Sequence, residues 1–299
     1  MSLFDRLVDQ ALKNQVELAP LRTVVEKELL HHDIIREMSA ADLLGELTFA
    51  GSTCLRACYG SSRLSEDLNF TGGHDFRHEM LNGMGETLAG RLQDKYGMAV
   101  QVRESTKESG NVITWKTRVV VRPDQKDMPV QRINIDIRAI PSYDRRPMIL
   151  RNHYGVDMGT SGLIIQAQSR EEILADKIVA FALRPNRLKN RDLWDIGWLK
   201  QQNIVLPLEL ILRKIADHRR SLDEFLKLLV QRRRQLQDDP RLRLDFVREM
   251  QRFLPPRVVA ETVEQEPFWD YLTGLVFAEC EGTIHTLKGG SESSRFIMT

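Results

Sequence analysis

Apolar positions along the chain change their period near its middle. Over residues 1–38 they recur at helical spacing, as in Leu21, Val24, Val25, Leu29 and Leu30, continued by Ile34 and Ile35. His31 and His32 are adjacent, point to different helix faces, and read as surface or core-edge residues. Ser39, ahead of Ala40-Ala41-Asp42-Leu43-Leu44, reads as the N-cap of a further helix. The short β-compatible run Leu47-Thr48-Phe49-Ala50 leads into Gly51-Ser52-Thr53 and then Cys54-Leu55-Arg56-Ala57-Cys58-Tyr59, a strand, a glycine turn and a helix. Leu68-Asn69-Phe70 reads as a second short strand. Residues 76–96 return to helical period. Residues 98–102, 112–121, 132–140 and 163–167 are strand-like and rich in β-branched side chains. After Ser169 the helical period holds over 171–184, 192–200, 206–217, 221–237, 243–253 and, beyond Pro255-Pro256, 268–280.

This order predicts an α+β protein whose sheet lies in the first half. The boundaries expected are 1–168 for a sheet-bearing core with N-terminal helices, 169–288 for a helical domain completing a cleft, and 289–299 for a flexible Gly/Ser-containing tail. The 299 residues, 42% of them hydrophobic, are enough for a sizeable core. A net charge of +1 argues against coating nucleic acid by bulk charge, so any such contact must come from a local patch. The three cysteines include no CxxC pair, which fits a reducing compartment. Cys54 and Cys58, four apart in an apolar stretch, read as small core residues. With no membrane-length apolar run and no secretion-signal order at the N-terminus, the expectation is a cytoplasmic protein without membrane contact.

The candidate chemistry starts at Gly51-Ser52. A glycine turn at a strand end followed by a helix start presents free backbone N–H groups to a phosphate, and the Ser52 hydroxyl adds a donor. Glycine turns before helices are common, so this element is weak alone. Asp67 and Asn69 alternate on the second strand, so both oxygen-bearing side chains share one face. Such a set suits Mg²⁺, which takes carboxylate oxygens together with substrate phosphate oxygens. Asp136 lies in Ile133-Asn134-Ile135-Asp136-Ile137, where Asn134 and Asp136 face away from the isoleucines. A plain solvent-facing sheet surface would give the same pattern. In the second half, Lys177 stands out in an apolar helix, and Arg184 follows about two turns later on its face. Two cations so placed suit a triphosphate, although solvent exposure would also explain them. Asp192 and Asp195 are helix neighbours, and Asp192 also suits a first helical turn on dipole grounds.

Taken in order, Phe49-Ala50-Gly51-Ser52-Thr53-Cys54-Leu55-Arg56 and Ser61-Ser62-Arg63-Leu64-Ser65-Glu66-Asp67-Leu68-Asn69-Phe70 resemble the "GGTAL … R-x-SEDLDF" signature of the AbiEii/AbiGii toxin family. These are the nucleotidyltransferase-like toxins of type IV toxin–antitoxin systems. Glu171-Glu172-Ile173-Leu174-Ala175-Asp176-Lys177 and Arg191-Asp192-Leu193-Trp194-Asp195 resemble later motifs of that family, so the likeness runs over about residues 40–200. The resemblance implies a DNA-polymerase-β-like nucleotidyltransferase core followed by a helical C-terminal part. It implies a nucleoside triphosphate (NTP) substrate, Mg²⁺, an RNA acceptor such as the tRNA 3′ end, and inhibition of translation. It also implies an antitoxin encoded alongside, possibly without direct contact. By the match, Gly51 and Ser52 would touch phosphate, Asp67, Asn69 and Asp136 would hold metal, and Lys177 with Arg184 would bind the nucleotide. Asp192 would sit beside the site as a catalytic or positioning carboxylate.

The signature usually ends in aspartate where this chain has Asn69, whose carbonyl can ligate a metal but brings no charge. Two other readings therefore stay open. One is a degenerate relative that binds nucleotide or RNA without turnover; the other is a nucleotidyltransferase acting on a small molecule. A cationic series in the second half, Arg213, Lys214, His218, Arg219, Arg220, Arg232–Arg234, Arg241, Arg243, Arg248 and Arg252, is the RNA-facing surface the sequence suggests.

Overall fold

Alternation in 131–138 explains why one sheet organises the first half. Ile133, Ile135 and Ile137 are fully buried on one face, each contributing about 1.5–3 kcal/mol, while Arg132, Asn134, Asp136 and Arg138 point the other way. The computed structural model describes residues 2–104, 112–120, 130–185 and 187–296. Val121 of the expected strand and the last three residues of the expected tail lie outside that set.

The chain divides into two compact units, residues 1–169 with 253–255, and 170–252 with 256–299. In the first unit the strands are β1 (Thr48–Ala50), β2 (Leu68–Thr71), β3 (Ala99–Glu104), β4 (Val112–Val120), β5 (Gln131–Arg138), β6 (Arg145–Ile149) and β7 (Ile164–Gln168). Among the described residues they form one sheet in the order β3-β4-β5-β2-β1-β7-β6. Pairing is mixed: β2 runs antiparallel to β1 and parallel to β5, and β1 runs parallel to β7. Its helices are α1 (Leu3–Asn14), α2 (Arg22–Ala40), the short α3 (Gly51–Cys54), which passes into a π-helical turn Leu55–Tyr59, and α4 (Met84–Tyr96). α2 packs on β5 and α4 on β3, and Arg103, Lys116, Arg118 and Arg132 of β3, β4 and β5 are exposed.

The second unit is helical: α5 (Arg170–Leu183), α6 (Asn190–Gln201), α7 (Leu208–Asp217), α8 (Leu222–Asp238), α9 (Arg241–Met250), the short α10 (Pro256–Val258) and α11 (Glu266–Phe296). Ser221 caps α8 by accepting from Glu224 N. No helix among the described residues is long and apolar enough to cross a membrane.

Several local expectations change. α2 runs through Ser39 to Ala40 and stops where Asp42 takes a left-handed backbone (φ 56°), so no helix starts at Ser39. His31 and His32 lie inside the core, 3% and 7% exposed, rather than at its edge. β6 is polar, carries Pro147 and sits at the sheet edge, where a missing N–H is tolerated, which is why its sequence does not read as a strand. α11 continues to Phe296 through the glycines assigned to a tail; helix-interior glycine costs only about 1 kcal/mol relative to alanine.

A buried ion network fixes the segment carrying the glycine turn and the carboxylates. Glu28 of α2, 4% exposed, accepts from Ser65 N (2.8 Å) with one oxygen. With the other it accepts from Arg56 Nε (3.1 Å) and the Tyr154 hydroxyl. Arg56 also donates to the Ser61 carbonyl (3.0 Å). Burial would raise the Glu28 carboxyl, but Arg56 and the hydrogen bonds from Tyr154 and Ser65 outweigh it and hold it below its ordinary value. Glu28→Ala strands the buried Arg56 guanidinium and is expected to destabilise the protein by about 3–5 kcal/mol in urea unfolding. Because the folded carboxyl is lowered, the Glu28 contribution is complete above pH 4.5 and fades on acidification below it, so the parent–variant gap narrows there.

Candidate functional site

β1 ends at Ala50, and Gly51 turns the chain with φ +72°, a left-handed conformation that glycine adopts without strain. Gly51 also lies against Asn69: a Cβ at 51 would sit 3.5 Å from the Asn69 Cβ. Strand register then aligns the candidates. Ala50 pairs with Asn69, Asn69 with Asp136, and Asp136 with Thr114, one row across β1, β2, β5 and β4. The structure thus brings Gly51, Asn69 and Asp136 together, with half-buried Ser52 opening α3 beside them.

Asp67 immediately precedes β2. One of its carboxylate oxygens accepts from Asn134 N (2.9 Å), which holds it beside β5. Its own carbonyl accepts from the Thr53 hydroxyl, and Thr53 Oγ1 lies 2.6 Å from Ser65 Oγ. The helix after the glycine turn therefore grips the segment that carries the carboxylate into β2. Thr114 Oγ1 donates to Asp136 (2.7 Å). Asp67, Asn69 and Asp136 are all half-buried. Asp67 and Asp136 with the Asn69 carbonyl form a hard-oxygen donor set, which fits Mg²⁺ in chemistry. Among the described residues no group of three or more His, Cys, Asp or Glu side chains is placed to hold a metal ion.

Residues around this row escaped the sequence reading. Lys27 binds the Glu66 carboxylate (2.7 Å), and His31 Nε2 lies 3.0 Å from the Glu66 carbonyl. Burial lowers both histidines, His32 to about 4, so they are neutral near pH 7. The available signal was phase: Glu28 and His31 fall in the same helical stripe as Val24 and Val25.

The remaining candidates form a second cluster within the helical unit. Lys177 Nζ contacts Asp192 Oδ1 (2.6 Å) and Asp195 Oδ2 (2.7 Å), and Arg184 contacts Asp192 Oδ2 (3.0 Å). Lys177, Asp192 and Asp195 are buried, so the cations are engaged by carboxylates rather than presented bare. Burial would raise the Asp192 carboxyl, yet Lys177, Lys189 and Arg184 hold it well below the usual range. Lys189, just ahead of α6, is lowered to about 8, chiefly by burial and then by the cations Lys177, Arg191 and Arg184, against the pull of Asp192. The proposed RNA-facing series also changes. Lys214 is fully buried between Glu172 (2.6 Å) and Asp176 (3.0 Å), while Arg220, Arg233 and Arg241 pair with Glu224, Glu281 and Asp239.

Two measurements test these electrostatics. Lys177→Ala removes the ammonium shared by the buried Asp192 and Asp195 carboxylates and is expected to lose about 3–5 kcal/mol of stability in urea unfolding. An unchanged midpoint would mean that Lys177 is not buried against them. Competitive acetylation followed by mass spectrometry should titrate the Lys189 amine with a midpoint near 8, against about 10.4 for exposed lysines.

A family model described as nucleotidyl transferase AbiEii toxin of the type IV toxin–antitoxin system matches residues 33–273. No curated protein matches the sequence. Among solved structures, the nucleotidyltransferase toxin MenT4 of Mycobacterium tuberculosis H37Rv is similar over 92% of this chain and 89% of its own, at 16% identity and TM-score 0.55. JHP933 of Helicobacter pylori covers 92% of this chain and 99% of its own at 16% identity, with TM-score 0.47. The likeness to MenT4 is one of fold, and the mixed sheet followed by helices agrees with a DNA-polymerase-β-like core and a helical C-terminal part. The family match spans most of the sequence and carries the activity class: this chain is a nucleotidyltransferase and belongs to the AbiEii toxin family of type IV toxin–antitoxin systems.

Proposed function

We propose that this protein is a cytoplasmic, Mg²⁺-dependent toxin that transfers nucleotides from an NTP to an RNA acceptor, the tRNA 3′ end, and so halts translation. An antitoxin encoded alongside is its counterpart. The observation that carries this reading is the register row joining Gly51, Asn69 and Asp136, with Asp67 pinned beside it. Donors and acceptors suited to opposite parts of one reaction meet on a rigid sheet.

In this reading the Gly51-Ser52 turn holds the phosphates through its backbone N–H groups and the Ser52 hydroxyl. Asp67, Asp136 and the Asn69 carbonyl hold Mg²⁺, which when bound neutralises charge on the triphosphate and the reacting phosphoryl group. The acceptor 3′-hydroxyl oxygen bonds to the α-phosphorus as the bond to pyrophosphate breaks. Its proton passes to Asp136, the carboxylate farther from the glycine turn in strand order. Lys177 and Arg184 serve the nucleotide, and Asp192 holds both cations in place.

Asn69 favours one competing reading. It supplies no charge at the centre of the row, as a site that binds nucleotide without turnover would have it. Both readings meet in one experiment: purified protein with Mg²⁺, total tRNA and each labelled NTP in turn, with Asp67→Ala as control. Label should enter tRNA with the parent and fall at least a hundredfold with Asp67→Ala, while the unfolding midpoint stays close to the parent's. Asn69→Asp should raise transfer at limiting Mg²⁺ if the missing charge limits metal affinity. Nucleotide binding without labelled tRNA, restored by Asn69→Asp, would establish the binding protein instead.

A further inference from the structure

The row of site residues continues along one face of the sheet. Two residues along β4 and β5 from Thr114 and Asp136 lies the pair Lys116–Asn134, with Arg103 of β3 opposite Lys116. Two further on lies Arg118–Arg132, with Gln101 opposite Arg118. Side chains two apart on a strand share a face, so these residues extend the surface that carries Asp136. Arg103, Lys116, Arg118 and Arg132 are exposed, while the alternate residues Trp115, Thr117 and Val119 are buried beneath. Together the cations line a shallow depression of about 280 Å³, and among the described residues no carboxylate lines it. Among the described residues none of the four cations makes an ion pair.

Strand order gives this surface a direction. β1, which delivers Gly51-Ser52, lies on one side of the β2–β5 pair bearing Asp67, Asn69 and Asp136, and β4 and β3 lie on the other. In nucleotidyl transfer the attacking and leaving oxygens stand on opposite sides of the reacting phosphorus. With the departing pyrophosphate on the Gly51-Ser52 side, the acceptor must arrive across β4 and β3. We infer that the exposed face of β3, β4 and β5 is the docking surface for the phosphodiester backbone of the RNA acceptor, leading its 3′ end to Asp136.

This inference rests on the RNA-acceptor reading above and assigns that acceptor a place. The rows repeat about every 6.7 Å along the strands, comparable with the separation of successive phosphates in an extended strand. Among the described residues no aromatic side chain lines the depression, so it offers phosphate contacts without base stacking, and recognition there is independent of sequence. A larger cavity of about 670 Å³ in the helical unit, lined by residues of α6, α8 and α9, is a poorer match. Its Arg191 and Arg241 are already paired with Glu249 and Asp239, and Asp245 lines it as well.

The test compares the parent with Lys116→Gln, Arg132→Gln and the triple variant Lys116→Gln/Arg118→Gln/Arg132→Gln. Labelled total tRNA is bound to each full-length protein over a range of KCl without NTP, with unfolding midpoints recorded for all. In the triple variant Kd should rise at least tenfold, and the slope of log K against log[KCl] should fall by about 2, with the single variants intermediate. Arg187→Gln/Arg248→Gln, from the larger cavity, should leave the slope unchanged. Parent binding with an unchanged triple variant would overturn the docking surface alone. A parent that neither binds nor labels tRNA would overturn the RNA-acceptor reading and this surface together. If the triple variant is unfolded, the two single variants decide: each must lower the slope by about 0.7, and unchanged slopes overturn the proposal.

Discussion

The Glu28 carboxylate is the constraint on which the candidate site depends. It is a charge inside the core, and such a charge persists only when fully partnered. Its partners are drawn from separate parts of one motif: Arg56 follows the glycine turn, Ser65 precedes Asp67, and Tyr154 closes the network from farther along the chain. One buried acid thus fixes both ends of the irregular segment between β1 and β2. Thr53 completes the hold by bonding Ser65 and the Asp67 carbonyl. The result is a candidate row on regular strands with its connecting loop tied from below, the kind of preorganisation that positional chemistry requires.

The helical unit uses the same device for different residues. Lys177 sits between Asp192 and Asp195, with Arg184 on the far oxygen of Asp192. A triphosphate reaching Lys177 would have to compete with two carboxylates. Asp192 therefore acts as a holder of cations, and its low proton affinity keeps it ionised throughout the physiological range. Lys189 is different in kind: it is held in a crowd of positive charge with its own charge weakened. Lys214, between Glu172 and Asp176, is a structural cation, although Arg213 beside it in sequence is exposed.

Charge is distributed unevenly over the open face of the sheet. Asp136 and the neutral Asn69 amide occupy the candidate row with Asp67 beside it, and cations that make no ion pair among the described residues fill the rows beyond. A near-neutral chain can therefore still present a local field, because acids and bases are sorted by strand and face rather than balanced along the sequence. Asn69 belongs to this picture, since it leaves the middle of the row without a charge.

By itself the sequence determined the class of fold, the helical second half, the glycine turn, and the alternation that sets Asp67 with Asn69 on one strand face and Asp136 with Asn134 on another. These follow from periods of 2 and 3.6 and from the conformational freedom of glycine, all short-range properties of the chain. Its motif order also led to the family that the comparison then established. Tertiary structure alone decided the rest. Glu28 and His31 look like helix residues until the core closes over them, and Lys177 and Lys214 look alike until only their partners distinguish them from surface cations. Arg103, Lys116, Arg118 and Arg132 come from three strands and become neighbours only through register. Burial and pairing are long-range properties: they depend on which strand lies beside which and what covers each face, and no local spacing encodes that.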